Sequence, residues 1–427
     1  MTIESFAPVA APLHGVVIVP GSKSVSNRAL VCAALADGHS VLTGVAVGDD
    51  TMRMIDALRT LGARIECTGT TVWVRSGVDR EATTAVIIDA GLAGTTSRFV
   101  SAVAALRAGP STITGGEGLL GRPMGELHRL LRDIGATVTS DRDGYLPVTI
   151  TGARLREASV PPELSARGDV SSQFISALML IAPLLGGLQL SLTGDVVSGE
   201  YLAMTAEVMR TFGAAVTVQP THVTVGADMY RGGEFVVDAD WSSASYPFAA
   251  VAIAGGQVQI AGLRENFGQP EAAFLGVLTR MGCAVSEHNA TVTVSRDARR
   301  ALIGIDVDMS AMSDLVPTLA VIAACASGPS RIRGVAFIRA KESDRLGDLA
   351  HELGKCGVTV RVETDGLSIT PAALHSATID PHDDHRLAMS LALLGLAQAG
   401  ISVSDPNVVA KSWPSFWSAM RSGLSLA

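Results

Sequence analysis

Two apolar patterns alternate along the chain. In the first, short stretches are apolar at nearly every position: "SKSVSNRALVCAALADG" from Ser22, "AGTTSRFVSAVAALRAG" from Ala93, "VSSQFISALMLIAPLLGG" from Val170, "WSSASYPFAAVAIAGG" from Trp241, "AMSDLVPTLAVIAACASG" from Ala311 and "DDHRLAMSLALLGLAQAG" from Asp383. With no polar face left for water, these predict helices buried on all sides. Each opens near Ser, Thr or Asp and closes on Gly, the residues that cap helix ends. In the second pattern, apolar residues recur at i, i+3 and i+4 with charges between them, as in "DTMRMIDALRTLGARIE", "MGELHRLLRDIGATVT", "YLAMTAEVMRTFGAAVTV", "EAAFLGVLTRMGCAVS" and "DRLGDLAHELGKCGVTV". These predict amphipathic helices that stop at Gly and run into a β-branched strand. A shorter version, "SFWSAMRSGL", closes the chain.

The two patterns repeat together. Ser24, Thr95, Ser171, Ser242, Ser313 and Asp384 mark equivalent positions in the buried helices, a period of about 71 residues. One repeat is strand, buried helix, strand, exposed helix and two further strands. Six copies divide naturally into two domains of three. At 427 residues the chain is also too long for one ordinary core.

Composition narrows the class. Hydrophobic residues make up 48% and charged residues 17%, the balance of a well-buried globular protein. With 33 basic and 41 acidic residues the formal charge is −8, which argues against nucleic acid or an anionic membrane as partner. Cys32, Cys67, Cys283, Cys325 and Cys356 form no CxxC pair, so reduced thiols in a cytoplasm are expected rather than a disulfide framework. The run "FISALMLIAPLLGGLQLSL" from Phe174 is broken by Pro183 and Gly186-Gly187, which predicts a buried helix and a strand rather than a membrane span.

The few cations gather where helices begin. Lys23, Ser24 and Arg28 open the first buried helix, and Arg122 precedes a helix-start proline. Lys341 and Arg345 lie four apart in "AKESDR", His385 and Arg386 follow Asp384, and Lys411 precedes "SWPSF". Helix starts present unpaired N–H groups and positive dipole ends, so they attract anions. Six or seven cations at such places in an acidic protein suggest a cleft for polyanionic small molecules, about the charge two phosphorylated ligands carry. "HDDH" at 382–385 has neighbours that do not point together on a tight turn, so no metal site is expected. "GSKS" lacks the glycine spacing of a P-loop.

With these residues in place, the chain resembles the enolpyruvyl transferase family, and within it the members whose acceptor is shikimate 3-phosphate. "PGSKSVSNRAL", "GLAGTTSRF", "GRPMG", "SSQF", "SGEY", "DADWSSASY", "SDLVP", "KESDRL", "DDHRLAM" and "KSWPSF" follow the family's order and spacing from end to end. The resemblance implies an α/β (α+β) two-domain inside-out barrel, each domain three βαβαββ repeats around buried parallel helices, closing over the ligands. It implies domains at 21–238 and at 1–20 plus 239–427, with hinges near 20 and 239. Shikimate 3-phosphate would be held by Lys23, Ser24, Arg28, Ser171, Ser172, Gln173, Ser198, Tyr201, Asp314 and Lys341. Phosphoenolpyruvate would be held by Lys23, Gly94, Arg122, Gln173, Arg345, Arg386 and Lys411.

The implied chemistry is addition followed by elimination, with Asp314 as proton acceptor, Glu342 as proton donor and Lys23 at the catalytic centre. Enclosure would raise the pKa of Glu342 toward that of a useful acid. No cofactor and no metal is implied, and the expected partners are the two substrates alone, bound by a cytoplasmic monomer. The chain departs from the family at Leu92, often Asn, at Phe337, often Asn, and at Phe99, commonly Pro. A sibling that transfers to UDP-N-acetylglucosamine usually has a reactive Cys where Glu117 stands here. Transfer to a specialised cyclic acceptor and a non-catalytic, ligand-binding relative are two further readings. The presence of Lys23, Asp314, Glu342 and the arginines opposes the non-catalytic one.

Overall fold

The computed structural model describes residues 2–152 and 161–426. The chain clusters into two compact units, one of residues 21–238 with 266–269, the other of the residues up to Pro20 with 239–265 and 270–427.

The 21–238 unit contains α1 (Lys23–Leu35), α2 (Asp49–Thr60), α3 (Gly94–Ala104), the short α4 (Glu117–Leu120), α5 (Gly125–Asp133), α6 (Ser172–Ile181) and α7 (Glu200–Thr211). Every residue of α1 from Val25 to Leu35 is buried, and α3 and α6 are nearly as enclosed. These three pack on one another, with α2, α5 and α7 filling the gaps between them. Three four-stranded sheets surround the helices, each with one parallel pair continued by an antiparallel hairpin. Strand Thr71–Ser76 shows how they face: Val72 and Val74 point inward, while Arg75 and Ser76 lie exposed. Phe267 joins this unit by stacking on Phe235, 5.0 Å between ring centroids.

The second unit is built alike from α8 (Trp241–Ala254), α9 (Phe274–Arg280), α10 (Val316–Ala324), α11 (Arg345–Lys355), α12 (His385–Ala392) and α13 (Phe416–Leu424). Here α8, α10 and α12 are the enclosed helices. A chain of hydroxyls links them: Ser245 lies 3.2 Å from Thr318, which lies 3.2 Å from Ser390. Two four-stranded sheets and a two-stranded pair, 377–379 with 401–403, cover them. In the sixth repeat, α13 replaces the final hairpin, and Glu4 bridges to Val403 at the edge of the short sheet. Buried helices inside and half-exposed sheets outside make each unit an inside-out α/β barrel.

Two strands are exchanged. In four repeats the parallel partners flank their own buried helix, as 86–89 and 111–114 flank α3. By contrast 13–16, which precedes α1, pairs with 256–261, while 234–236, which precedes α8, pairs with 40–43. The N-terminal segment then packs on α13: Phe6 lies 5.2 Å from Trp417, and a Cβ on Gly15 would fall 1.8 Å from Gly423 O.

Capping is less uniform than the sequence suggests. Ser22, Ser171, Asp240 and Asp384 cap with their side chains. At α3 the cap position is Ala93, which has no side chain able to cap, and Ser97 Oγ donates to Gly94 O within the first turn. Ser313–Leu315 forms a 3-10 turn ahead of α10, where Pro317 is tolerated only in the first helical turn. Lys411 ends a 3-10 helix, Pro406–Lys411, rather than opening α13. The amphipathic helices stop as expected: Gly62, Gly135, Gly213, Gly282 and Gly357 all carry a φ between 93° and 105°. Among the described residues, no helix is long and apolar enough to cross a membrane, no cluster of His, Cys, Asp and Glu could hold a metal, and all five cysteines are free.

Candidate active site

In the 21–238 unit the candidate residues collect at the starts of α1, α3, α6 and α7. Ser22 Oγ accepts from Val25 N at 3.4 Å and fixes the start of α1. Just before it, a Cβ on Gly21 would lie 1.7 Å from Gly44 O, so no other residue fits this turn. Lys23 Nζ donates to Asp50 Oδ2 at 2.9 Å, with Asp50 almost wholly buried in the first turn of α2. Arg28 is 2% exposed and braced from three directions. Its Nε donates to Thr205 Oγ1 at 2.7 Å, its Nη1 donates to Ser24 O at 2.9 Å, and the guanidinium lies 5.3 Å from the Phe99 ring. The Phe99 departure thus supplies a stacking surface for a buried cation.

Gly94 opens α3 between two guanidinium groups. A Cβ there would meet Arg98 Nη1 at 2.8 Å and Arg122 Nη1 at 3.0 Å. Arg98 Nη1 in turn donates to Gln173 Oε1 at 2.7 Å, beside the α6 start where Ser171 Oγ accepts from Gln173 N. Leu92 is 39% exposed, and its methyl group would lie 3.0 Å from a Cβ on Gly116. Ser198, ahead of α7, has φ +53°, the one left-handed non-glycine residue among those described in this unit. Tyr201 is the second residue of α7, and its carbonyl oxygen accepts from Thr205 Oγ1 at 2.7 Å.

In the other unit the candidates form one ionic cluster. Arg345, the first residue of α11, is 1% exposed and reaches three carboxylates. Its Nε donates to Asp384 Oδ2 at 2.6 Å, its Nη1 to Asp314 Oδ1 at 3.0 Å and its Nη2 to Glu342 Oε2 at 2.7 Å. Asp384 also caps α12, accepting from Arg386 N at 2.8 Å, and Arg386 Nη2 donates to Asp314 Oδ2 at 2.7 Å. Lys341 Nζ lies 3.6 Å from Asp314 and 5.8 Å from the centre of the Phe337 ring. Three carboxylates thus face three cations, which is what keeps so much charge tolerable in a closed site.

Burial alone would push the Asp314 carboxyl up, but Arg386, then Lys341 and Arg345, outweigh it and hold the group far below the usual carboxylate range. Burial likewise disfavours the Arg345 cation, and Asp384, Glu342 and Asp314 more than restore it. Lys411 is 7% exposed at the end of its 3-10 helix, a segment packed on α12.

Each unit therefore brings together the candidates it contains. Lys23, Ser24, Arg28, Gly94, Arg122, Ser171, Ser172, Gln173, Ser198 and Tyr201 lie in the 21–238 unit, and Asp314, Lys341, Glu342, Arg345, Arg386 and Lys411 in the other. Asp50, Arg98 and Thr205 were not singled out by sequence, and Asp384 enters there only as a repeat marker. Asp384 had a signal, since it occupies the helix-start position of the sixth repeat. Arg98 lies one turn into α3, as Arg28 lies one turn into α1.

A sequence profile of the family described as EPSP synthase (3-phosphoshikimate 1-carboxyvinyltransferase) matches residues 9–420. The 3-phosphoshikimate 1-carboxyvinyltransferase of Methanosphaerula palustris is 40% identical over 410 residues, 95% of each chain. That of Methanoculleus marisnigri is 39% identical over 423 residues, 96% of each chain. A solved EPSP synthase structure from Acinetobacter baumannii matches with a TM-score of 0.80 at 26% identity, covering 99% of this chain and 98% of that one.

Proposed function

The chain belongs to the EPSP synthase (3-phosphoshikimate 1-carboxyvinyltransferase) family, and on that premise we propose which of its residues perform the family's reaction. It is a transferase of aromatic amino acid biosynthesis that moves the enolpyruvyl group of phosphoenolpyruvate to shikimate 3-phosphate and releases phosphate.

The reaction asks for a base at the acceptor 5-hydroxyl, an acid at C3 of the donor and cations around two phosphates and two carboxylates. We assign the base to Asp314 and the acid to Glu342. Lys23, Ser24, Arg28, Ser171, Ser172, Gln173, Ser198, Tyr201 and Lys341 are assigned to shikimate 3-phosphate. Lys23, Gly94, Arg122, Gln173, Arg345, Arg386 and Lys411 are assigned to phosphoenolpyruvate. Addition joins the 5-oxygen to C2 as Asp314 takes the hydroxyl proton and Glu342 gives one to C3. Elimination then returns one proton of the new C3 methyl to the Glu342 carboxylate and expels phosphate, which carries off the proton held by Asp314.

One observation carries the catalytic assignment: Asp314 is clamped between Arg345 and Arg386. So clamped, the carboxylate is ionised but a feeble base. An incoming anion that takes up Arg345 and Arg386 draws both cations away from Asp314 and raises its basicity. The base is thus strengthened by the arrival of the donor, and the proton leaves the 5-hydroxyl only when there is an acceptor carbon to attack. Arg345 also holds Glu342, so one guanidinium orients both the acid and the base.

The free cysteines suit a reducing compartment, and we propose a cytoplasmic monomer acting on these two small molecules. Phosphate release from phosphoenolpyruvate with shikimate 3-phosphate, run beside UDP-N-acetylglucosamine as acceptor, tests the assignment. Release with the first acceptor alone is expected; release with the second alone overturns it.

A further inference from the structure

On α11, two turns beyond Arg345, Glu352 is a carboxylate with 1% exposure that takes no part in the chemistry proposed above. Its Oε2 accepts from Lys355 Nζ at 2.8 Å and from the backbone N–H of Asp380 at 3.0 Å. Its Oε1 lies 3.1 Å from His382 Nε2. Two of these three partners belong to the segment that leads into α12. That segment is held in an unfavourable shape, since His382 and Asp383 have φ of +51° and +57°, two successive non-glycine residues in the left-handed region. Such geometry is uncommon outside glycine, and the turn's own bonds, Asp384 N to Pro381 O at 2.9 Å and His382 N to Asp380 Oδ1 at 2.8 Å, are supplemented from α11. The next residue is Asp384, which receives Arg345 Nε and caps Arg386 N.

The connections close a loop. Arg345 and Glu352 are seven apart on α11, hence on one helix face, and both grip the 380–386 segment, one at each end. We infer that Glu352 is a positioning residue: by holding Asp380 and His382 it forces the 382–383 turn that sets Asp384 against Arg345 and aims Arg386 at Asp314. Glu352 acts at a distance from the substrate and through these two arginines. The inference rests on the assignment of Arg345 and Arg386 to phosphoenolpyruvate.

The test uses the full chain with Glu352→Gln, and with His382→Ala as a milder second variant on the half-buried side of the contact. Glutamine keeps the shape but loses the charge and one acceptor, so its N–H₂ must face either the two donors on Oε2, Lys355 Nζ and Asp380 N, or His382 Nε2. The KM for phosphoenolpyruvate should rise about tenfold while that for shikimate 3-phosphate stays within about twofold. Amide exchange across 380–388 should quicken about tenfold, with the 330–333 and 367–370 strands unchanged.

Asp383 is exposed, and a glycine there adopts the left-handed turn unaided. Asp383→Gly alone should leave activity unchanged, and in the Glu352→Gln background it should recover most of the lost affinity. A purely structural Glu352 predicts a lower melting temperature with the KM for phosphoenolpyruvate and the 380–388 exchange both unmoved, and that result overturns the inference. If the unaltered chain releases no phosphate, the functional assignment fails instead, and the exchange measurement still decides whether Glu352 holds the turn.

Discussion

His128 on α5 offers a stability prediction independent of catalysis. It is fully buried, and neither ring nitrogen has a hydrogen-bond partner among the described residues. Burial, and secondarily Arg132, push its pKa down from 6.5 to about 4. The folded chain therefore keeps the imidazole neutral through a range in which the unfolded chain protonates it. Stability is complete above the unfolded value and is lost as pH falls from about 6.5 toward 4, levelling off below. Between pH 7.5 and 4.5 that loss comes to about 2.5 kcal/mol from this group alone.

Leucine at 128 fills similar space with no proton to gain and no buried N–H without a partner. His128→Leu should raise stability at pH 7.5 by about 1–2 kcal/mol and by about 4 kcal/mol at pH 4.5. Because a two-unit chain need not unfold in one step, the assay should resolve the units. Pulsed hydrogen exchange along a urea series, read on peptides covering 125–151, does so. Other carboxylates titrate in the same window, so the measured quantity is the difference between the two proteins at each pH. A gap that does not widen between pH 7.5 and 4.5 would refute the argument.

Gly94→Ala places a methyl group 2.8 Å from Arg98 Nη1 and 3.0 Å from Arg122 Nη1. Both flexible ends must shift, so the KM for phosphoenolpyruvate should rise about tenfold, equivalent to ~1.4 kcal/mol, with unfolding unaltered; steady-state kinetics with an unchanged KM would count against the arginine assignment. Asp314→Ala should lower kcat by about 10²–10⁴ with a far smaller change in substrate affinity, measured by calorimetry, and the reverse pattern would make it a binding residue only. Lys23→Met should abolish turnover and leave the circular dichroism spectrum intact, whereas near-normal rates would contradict its role.

What the sequence displayed most clearly was whatever recurs. The enclosed helices were visible because all-round apolar character, caps and a common period agree at Ser24, Ser171 and Asp384. Arg28 and Lys23 were visible as rare cations at such a start. Asp50 was not, since an acid in the first turn of an amphipathic helix is ordinary dipole chemistry, and nothing local says that a lysine 27 residues earlier will claim it. The Asp314 cluster was foreseen one residue at a time, but its shared hub at Arg345 depends on contacts spanning 31 and 39 positions that no window displays. His128 occupies the apolar phase of its helix, but nothing local says whether its ring finds a hydrogen-bond partner there.

The exchanged strands bear on the order in which the molecule can be made. Residues 21–238 emerge from the ribosome with nearly all their partners among themselves, so that barrel is able to close midway through translation. Strand 13–16 leaves the exit tunnel ahead of that barrel, yet it waits for 256–261 before it has a neighbour and for α13 before that neighbour is secured. Over that interval Leu13, Val17 and Val19, all buried in the finished unit, have no core to enter. Helix α13, which supplies no residue assigned to chemistry, thus acts as the latch on a strand synthesised long before it.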